Sequence, residues 1–171
     1  MKSLTPRLAL VMTLVAALAA PAAAEAQRSE QTERFTRTFK VGADGQVVLS
    51  NIAGDISVTA GATNEVTIEV VKRARARSDA DAKEQLALVE VEVTETAGRI
   101  EARTRYPRTE NRSINVSVSY TVTAPATVRV EARSISGDLR ISGIKGAVGA
   151  ESTSGEVVIE NGERVDRKSV V

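Results

Sequence analysis

Hydrophobic and polar residues alternate with a period of two along much of this chain. The alternation is clearest in VVLSN (47–51), GDISVTA (54–60), EVTIEVV (65–71), LVEVEVTE (88–95) and RSINVSVSYTV (112–122). Successive side chains of a strand point to opposite faces, so each of these segments predicts a strand with one buried and one wet face. Glycine-containing pairs separate the segments and indicate turns. The pattern therefore predicts an all-β fold.

Two segments depart from this pattern. Residues 78–88 (SDADAKEQLAL) begin with a serine and carry acidic residues in what would be the first turn of a helix. Serine is a favoured N-cap, and acidic side chains are stabilising near a helix N-terminus. We therefore expect one short helix at 78–88. Residues 27–38 are polar, and we expect them to be a loose N-terminal segment.

The last third of the chain repeats every nine residues. Its units are GDLRISGIK (137–145), GAVGAESTS (146–154) and GEVVIENGE (155–163), and GDISV (54–58) is an earlier echo. A glycine can take the positive φ that a sharp corner demands, and apolar residues two apart point inward together. Strand-and-turn units of fixed period stack on one another. The repeat therefore predicts a β-solenoid or β-helix-like domain.

The N-terminus has the three parts of a secretory signal peptide. Lys2 and Arg7 supply a positive region, residues 8–20 form an apolar run, and residues 24–26 (AEA) offer a cleavage site. A transmembrane anchor is the alternative, but the apolar run is shorter than the roughly 20 residues that a spanning helix needs. We therefore expect residues 1–26 to be removed after export, by cleavage near Ala26. The mature chain would then have no transmembrane segment and a periplasmic or secreted location.

Composition excludes several kinds of site. The chain has no cysteine and no histidine, which removes disulfides, Ser-His-Asp and Cys-His catalytic arrangements, and the common zinc sites. Its 23 basic and 22 acidic residues nearly balance, so a globally basic surface for nucleic acid is not supported. Aromatic residues make up 2% of the chain, which argues against stacking platforms for bases or sugars. We expect no cofactor.

Three segments resemble a bacterial family of unassigned function, the DUF4097 family, whose members are often labelled as adhesins. The segments are YTVTAP (120–125), VRVEARSISGDLRISGIKG (128–146) and AESTSGEVVIENG (150–162). With the strands and the acidic helix that precede them, the resemblance extends from Phe39 to Glu163. It implies an extracytoplasmic, all-β, β-helix-like domain. It implies no catalytic residues, because the family has no established set.

The last six residues have a separate explanation. DRKSVV (166–171) is the translation of a widely used sequencing adapter, and a stop codon follows in the same frame. We therefore expect residues 166–171 to be an artefact and the natural protein to continue beyond Val165. The alternative is a polar C-terminal tail. On the first interpretation the β domain spans 39–165 and is incomplete, and the resemblance implies that further repeats would follow.

Carboxylates and serines recur at the corners of the repeat. Asp55, Asp138 and Glu156 each follow a turn glycine in equivalent positions. They would form either an acidic ladder that binds a cation or acts on polysaccharide, or short caps of wet turns, which we favour. The corner serines have no accompanying base, and stacked corner hydroxyls are their favoured role. These serines are Ser134, Ser136, Ser142, Ser152 and Ser154.

Two groups of arginines are the candidate ligand-binding residues. They are Arg73, Arg75 and Arg77, and Arg99, Arg103 and Arg105. Alternate residues of a strand share a face, so each group forms one basic face if its strand extends far enough. Such a face could bind an anionic envelope polymer through phosphate or carboxylate groups. The alternative is a solvated face whose charge is balanced by neighbours such as Glu69 and Glu101.

These observations favour an exported, non-enzymatic domain that binds or scaffolds components of the cell envelope. Its partner would be an anionic envelope polymer or an envelope protein, and its working surface a long strand face. A sensor or regulator of envelope state is the first alternative, which a protein partner that copurifies would favour. A polysaccharide-active β-helix enzyme is the second, and it would need acids and bases clustered on neighbouring strands.

Overall fold

The computed structural model describes residues 28–42, 44–107 and 113–160, together with the backbone of residues 164–169. The predicted signal peptide lies outside the described residues. Within them, no helix has the length and apolar character needed to cross a membrane.

The described chain forms twelve strands and one helix, which confirms the predicted all-β class. The first four strands are β1 (Ser29–Lys40), β2 (Gln46–Ser50), β3 (Ile56–Gly61) and β4 (Glu65–Ala76). Helix α1 (Asp79–Leu88) follows, and then β5 (Glu90–Thr96), β6 (Arg99–Arg105), β7 (Val116–Pro125) and β8 (Arg129–Ser136). The last strands are β9 (Leu139–Ser142), β10 (Ala147–Ser154), β11 (Val157–Glu160) and β12 (Arg164–Ser169).

These strands form two six-stranded sheets. Sheet A has the order β1-β4-β7-β3-β9-β11, and sheet B has the order β12-β10-β8-β2-β6-β5. The core between them is built largely from β-branched side chains, whose restricted χ1 suits a pleated surface. Its fully buried members include Val47, Leu49, Ile56, Val58, Ile68, Val70, Ile100, Val122, Leu139 and Ile141.

From β7 to β12 the chain alternates between the two sheets, and from β8 onward strands two apart along the chain pair in parallel. Leu139 of β9 stands beside Val157 of β11, and Val130 of β8 stands beside Val148 of β10. Each of these offsets is eighteen residues, twice the sequence repeat. Consecutive nine-residue units therefore lie in opposite sheets, and units two apart are neighbours within one sheet.

An early part of the chain is inserted into this parallel stack. Strand β2 lies between β6 and β8 in sheet B, and β3 lies between β7 and β9 in sheet A. All four of these pairings are parallel. We call a sheet B strand and the sheet A strand that follows it a rung. The order of rungs is β6–β7, β2–β3, β8–β9 and β10–β11, so the GDISV echo lies beside the repeat that it resembles.

The other end of the molecule is antiparallel. Strand β4 pairs with β7 and β1, and β5 forms a hairpin with β6. The predicted helix is confirmed as α1, and the Oγ of its N-cap Ser78 accepts a hydrogen bond from the Asp81 N–H at 3.2 Å. Ala82 and Leu86 are the buried residues of the helix.

Our expectation of a loose segment at residues 27–38 was wrong, because residues 29–40 form strand β1. This strand pairs with β4 over twelve residues. The polar composition of this strand gives no apolar alternation, since only Phe35 and Phe39 are apolar and both are half-buried. A twelve-residue backbone ladder holds the strand to β4, and ion pairs also link the two strands, as between Arg34 and Glu69, whose Nε and Oε1 are 3.3 Å apart.

Candidate binding surfaces

The repeat carboxylates cap the corners of the stack. The backbone N–H of Asp138 donates to Oδ1 of Asp55 at 3.0 Å, and the N–H of Glu156 donates to Oδ1 of Asp138 at 3.0 Å. Asp55 and Asp138 thus each hold the backbone of the equivalent residue on the next rung. This geometry supports the favoured interpretation, that they are turn caps. Among the described residues no group of three or more acidic side chains is arranged to hold a metal ion.

Glycine is required next to each of these caps. Gly54, Gly137 and Gly155 have φ values of +114°, +145° and +153°. A Cβ built on Gly137 would lie 2.2 Å from the carbonyl oxygen of Gly54, and one on Gly155 would lie 2.2 Å from that of Gly137. The corner backbones are therefore in direct contact, and no larger residue fits between the rungs.

Two of the corner serines point into the core rather than towards a site. Ser134 and Ser152 are both buried and are neighbours in the register of β8 and β10. The Ser152 Oγ donates to the carbonyl oxygen of Gly137 at 3.1 Å. The Ser134 Oγ has no hydrogen-bond partner among the described residues. Neither hydroxyl is therefore placed as an activated nucleophile, which would need a base within reach.

A buried polar network joins the inserted rung to its neighbour, and sequence reasoning did not find it. The Asn51 side-chain amide donates to the carbonyl oxygens of Gly54 at 2.8 Å and Val118 at 2.7 Å. The Thr104 hydroxyl donates to Oδ1 of Asn51 at 3.0 Å and lies 2.6 Å from the Tyr120 hydroxyl. Burial is the largest influence on Tyr120 and raises its pKa to about 12. The network fixes the corner of the rung and leaves no polar group for an external ligand.

A five-residue pattern could have revealed this network. The inward positions of the sheet B strands read apolar, apolar, polar at alternate residues. The segments are IEART (100–104), VVLSN (47–51), VEARS (130–134) and VGAES (148–152). In each case the third inward residue is Thr, Asn or Ser and lies at the corner where the chain leaves the sheet.

The first arginine group lies on the outer face of sheet A. Arg73 and Arg75 share the exposed face of β4, as predicted, whereas Arg77 lies beyond the strand, which ends at Ala76. Glu30 of β1 is the acidic partner of both strand residues. Its carboxylate oxygens are 2.7 Å from the Arg75 Nε and 3.8 Å from the Arg73 Nε.

The second arginine group lies on the outer face of sheet B. Arg99, Arg103 and Arg105 alternate along β6 and are exposed. Glu101 lies between the first two, 2.6 Å from the Arg103 Nη2 and 3.9 Å from the Arg99 Nε. Because the two sheets meet through their apolar faces, the two arginine groups lie on opposite sides of the molecule. They cannot form one site.

Strand β8 extends the second group with two arginines that sequence reasoning missed. Ser50 of β2 stands between Arg103 and Arg133, and Gln46 stands between Arg99 and Arg129. Val48 stands in the same way between Glu101 and Glu131. On this surface a row of two acidic residues lies between two rows of arginines. We call it the sheet B face, and its six charged residues are Arg99, Arg129, Glu101, Glu131, Arg103 and Arg133. Strands about 4.8 Å apart place like charges in a row about 10 Å apart.

A cleft of about 680 Å³ lies where β4 ends. Arg75 and Arg77 line it together with Arg28, so two of the candidate arginines do meet there. Asp81 and Gln85 of α1 form another wall, and the Gln85 Oε1 accepts from the Asn115 N–H at 2.8 Å. The cleft is wide and polar.

Comparisons with known proteins give likeness of shape only. No family model matches the chain, and no curated protein is similar to it. A proposed cell adhesion protein of Clostridium sporogenes superposes with a TM-score of 0.47 at 7% identity, over 73% of this chain and 59% of its own. A proposed adhesin of Bacteroides fragilis gives 0.46 at 14%, over 81% and 57%.

A proposed lipid-binding protein of Parabacteroides distasonis gives a TM-score of 0.37 at 10% identity, over 79% of this chain and 61% of its own. The chain therefore spans less than two thirds of the length of these three proteins.

Proposed function

We propose that this chain is an exported, non-enzymatic, β-solenoid-like domain that binds or scaffolds a component of the cell envelope. The eighteen-residue parallel offset and the stacked glycine corners support the solenoid-like description. The signal-peptide pattern of residues 1–26 supports export. N-terminal sequencing of the protein recovered outside the cytoplasm tests this part, and a first residue of Gln27 is the expected result.

The sheet B face is the working surface in this proposal, and its rows of charge are the observation that carries it. Arg103 and Arg133 keep 50% and 65% of their side chains exposed although each has an acidic neighbour. A guanidinium group that is held at one edge still presents donors to a second carboxylate or phosphate. The spacing of about 10 Å within a row suits repeated anionic groups of a linear polymer that crosses the strands.

We therefore assign an anionic envelope polymer as the ligand class. The acidic row keeps the net charge of the face small, so binding would be weak for a single anion and would depend on many contacts. Because the arginines are exposed, the affinity should fall steeply as salt rises. Two neutral residues, Ser50 and Gln46, lie between the arginines, and the Gln46 Nε2 donates to Oε1 of Glu131 at 3.0 Å.

Binding of polygalacturonate and of polyphosphate, measured by calorimetry at low salt, tests this assignment. We expect Arg103→Ala/Arg133→Ala to weaken binding at least tenfold. The matched control is Arg73→Ala/Arg75→Ala, which removes two paired arginines from the opposite face and should change affinity less than twofold. Equal effects of the two double variants, or no binding by the unaltered protein, would refute the assignment. Release of new reducing ends from polygalacturonate would instead support an enzyme.

A further inference from the structure

Strand β1 is an edge strand of unusual length. It pairs with β4 through twelve residues and is the outermost strand of sheet A in the described part of the molecule. An edge strand presents a row of backbone N–H and C=O groups that another strand can pair with. The side chains of β1 are exposed or half-buried throughout. Its outer edge is therefore a candidate interaction surface.

The sequence of β1 is complementary to itself in the antiparallel direction. With Phe35 at the centre, Glu30 is placed opposite Lys40 of a second copy, and Glu33 opposite Arg37. Thr32 is placed opposite Thr38 in the same register. Cross-strand pairs of opposite charge stabilise a sheet, and like charges directly opposite one another destabilise it.

Among the registers nearest to it, this one alone satisfies both the charges and the faces. A shift of one residue would place outward side chains opposite inward ones, which the pleat disfavours. A two-fold axis at Arg34 would bring the two copies of Arg34 together. An axis at Thr36 would place Phe35 opposite Arg37 and Glu33 opposite Phe39. The charges of β1 are thus matched about Phe35 alone among the registers nearest to it.

Within one molecule, ion pairs form at the acidic N-terminal half of β1, whereas the basic residues of its C-terminal end, Arg37 and Lys40, have no ion-pair partner among the described residues. Glu30 contacts Arg75, and Glu33 contacts Lys72 at 2.7 Å. Within the described residues, Arg37 and Lys40 make no such contact; Arg37 stands opposite the apolar Ile68. Glu33 keeps 52% of its side chain exposed, so it could accept Arg37 of a second copy while keeping Lys72.

The centre of the register is apolar. Phe35 is half-buried against the core, and the two-fold axis would bring it beside its own copy. Aromatic pairs across neighbouring strands stabilise a sheet. Pairing would therefore cover apolar surface that a single molecule leaves partly exposed.

The outer edge of sheet B shows how this protein protects a strand from such pairing. Strand β5 carries Glu90, Glu92 and Glu95 and no basic residue. Two copies of β5 would repel each other in any register, which is a recognised defence of exposed edges. Strand β1 is also the outermost strand of its sheet, but its acidic and basic residues are balanced and lie symmetrically about Phe35.

We propose that two copies of this protein pair through β1 in an antiparallel, two-fold arrangement centred on Phe35. The two copies of sheet A would join into one continuous sheet. Such an interface uses the same surface of both copies. A single pair of strands buries less than the roughly 1,200 Å² of a standard interface, so the dimer would be weak and its population would depend on concentration.

Cross-linking tests the register, because the chain has no cysteine of its own. Thr32→Cys and Thr38→Cys are made as separate variants, since both side chains are exposed. In the proposed register, position 32 of one copy lies opposite position 38 of the other, so the two introduced thiols come within reach of a disulfide. Two copies of the same variant place their cysteines roughly 20 Å apart.

We therefore expect a mixture of the two variants to form a disulfide-linked dimer at several times the yield of either variant alone. Equal yields in the mixture and in the separate samples would overturn the register. Sedimentation of the unaltered protein should show a dimer whose fraction rises with concentration. A monomer at every concentration, together with no cross-link in the mixture, would overturn the proposal.

Charge reversal provides an independent test. Arg37→Glu would face Glu33 of the second copy and should raise the dimer dissociation constant at least tenfold. Lys145→Glu, which changes an exposed residue far from β1 by the same charge, is the control and should leave the constant unchanged. An equal effect of the two variants would overturn the proposal. Polymer binding, measured separately, decides the function of the sheet B face and does not depend on this result.

Discussion

The parallel stack and the antiparallel end of this molecule are held together in different ways. At the corners of the stack, backbone contacts backbone: Gly137 touches Gly54, and Gly155 touches Gly137. At the antiparallel end, contacts of individual side chains hold neighbouring elements together. Lys72 of β4 reaches the end of α1, where its Nζ donates to the carbonyl oxygens of Leu86 at 3.2 Å and Val89 at 3.3 Å.

This difference determines which of the two regions has a repeat that can be seen in the sequence. A contact between backbones needs the same small residue at every turn, so the glycines recur at fixed spacing. A contact made by one long side chain needs that residue at only one position, so it produces no repeat in the sequence. The stack should therefore tolerate varied side chains but no change at its corners, whereas the antiparallel end should depend on a few individual residues.

The largest expected effect is that of Gly137→Ala. Its Cβ would lie 2.2 Å from the Gly54 carbonyl oxygen, at a φ of +145° that L-residues rarely adopt. Both chains at the corner would have to move apart, so we expect a loss of at least about 3 kcal/mol in the free energy of unfolding. Urea unfolding monitored by circular dichroism measures this loss.

Gly98→Ala is the matched control from the antiparallel end. Gly98 also has a positive φ, +79°, but nothing lies within 4 Å of the Cβ position. Only the backbone strain remains, and the expected loss is about 1 kcal/mol. Similar losses for the two variants would contradict the view that contact between rungs, and not the turn alone, requires glycine in the stack.

The next largest effect is expected for Lys72→Met. The helix has no basic residue in its last turn, so Lys72 supplies the charge that its C-terminal carbonyls attract. Methionine keeps the buried volume but removes the Nζ donor from both carbonyls and the ion pair from Glu33, at a cost of about 2 kcal/mol. Hydrogen exchange should show faster opening of α1 with little change in β8 to β11.

The exposed Lys83 of α1 provides the control, since Lys83→Met removes a charge from the same helix without a buried contact. It should leave both the stability and the exchange of α1 nearly unchanged. If Lys72→Met opened the stack and the helix equally, the two regions would unfold as one unit, and the comparison between them would fail.

The local pattern predicted the parts of this fold that depend on neighbours in sequence. Alternation identified the half-buried strands, and Ser78 identified the start of α1. Strand β1 was missed because its apolar residues, Phe35 and Phe39, are four apart and its other inward positions are polar. A strand whose inward positions are mostly polar has no apolar period to detect.

Relations between distant segments could not be predicted. A nine-residue period is the same whether consecutive units share a sheet or lie in opposite sheets, as the units of Leu139 and Val148 do. The place of β2 and β3 within the stack depends on pairing with distant segments, such as Val47 with Val130. For the same reason the two arginine groups looked alike in sequence and lie on opposite faces.

The buried network around Tyr120 should make the stability of the stack depend on pH at high pH. Burial raises the pKa of Tyr120 to about 12, opposed by its hydrogen bond with Thr104 and aided by Tyr106, whereas an unfolded tyrosine has a pKa of about 10. Above pH 10 the unfolded chain therefore loses this proton first, and stability falls as pH rises towards 12. The expected loss from Tyr120 is about 2 kcal/mol.

Below that range this contribution is fully present. The chain has no histidine, so stability should be nearly flat between about pH 6 and 9. Tyr120→Phe should remove part of the loss above pH 10 in urea unfolding measured across this range. An unchanged slope in that variant would show that the Tyr120 hydroxyl does not carry the effect.

The smallest expected effect concerns two serines at equivalent corners of the stack. Ser152→Ala removes the hydrogen bond to the Gly137 carbonyl oxygen and should cost about 1 kcal/mol. Ser134→Ala removes a buried hydroxyl that has no partner among the described residues, so it should be neutral or stabilise by up to about 1 kcal/mol. Opposite signs for two neighbouring, identical residues would show that the stack depends on its backbone corners and not on each polar side chain that repeats there. An equal loss at both positions would mean that the Ser134 hydroxyl is bonded, and that the column of polar residues acts as a unit.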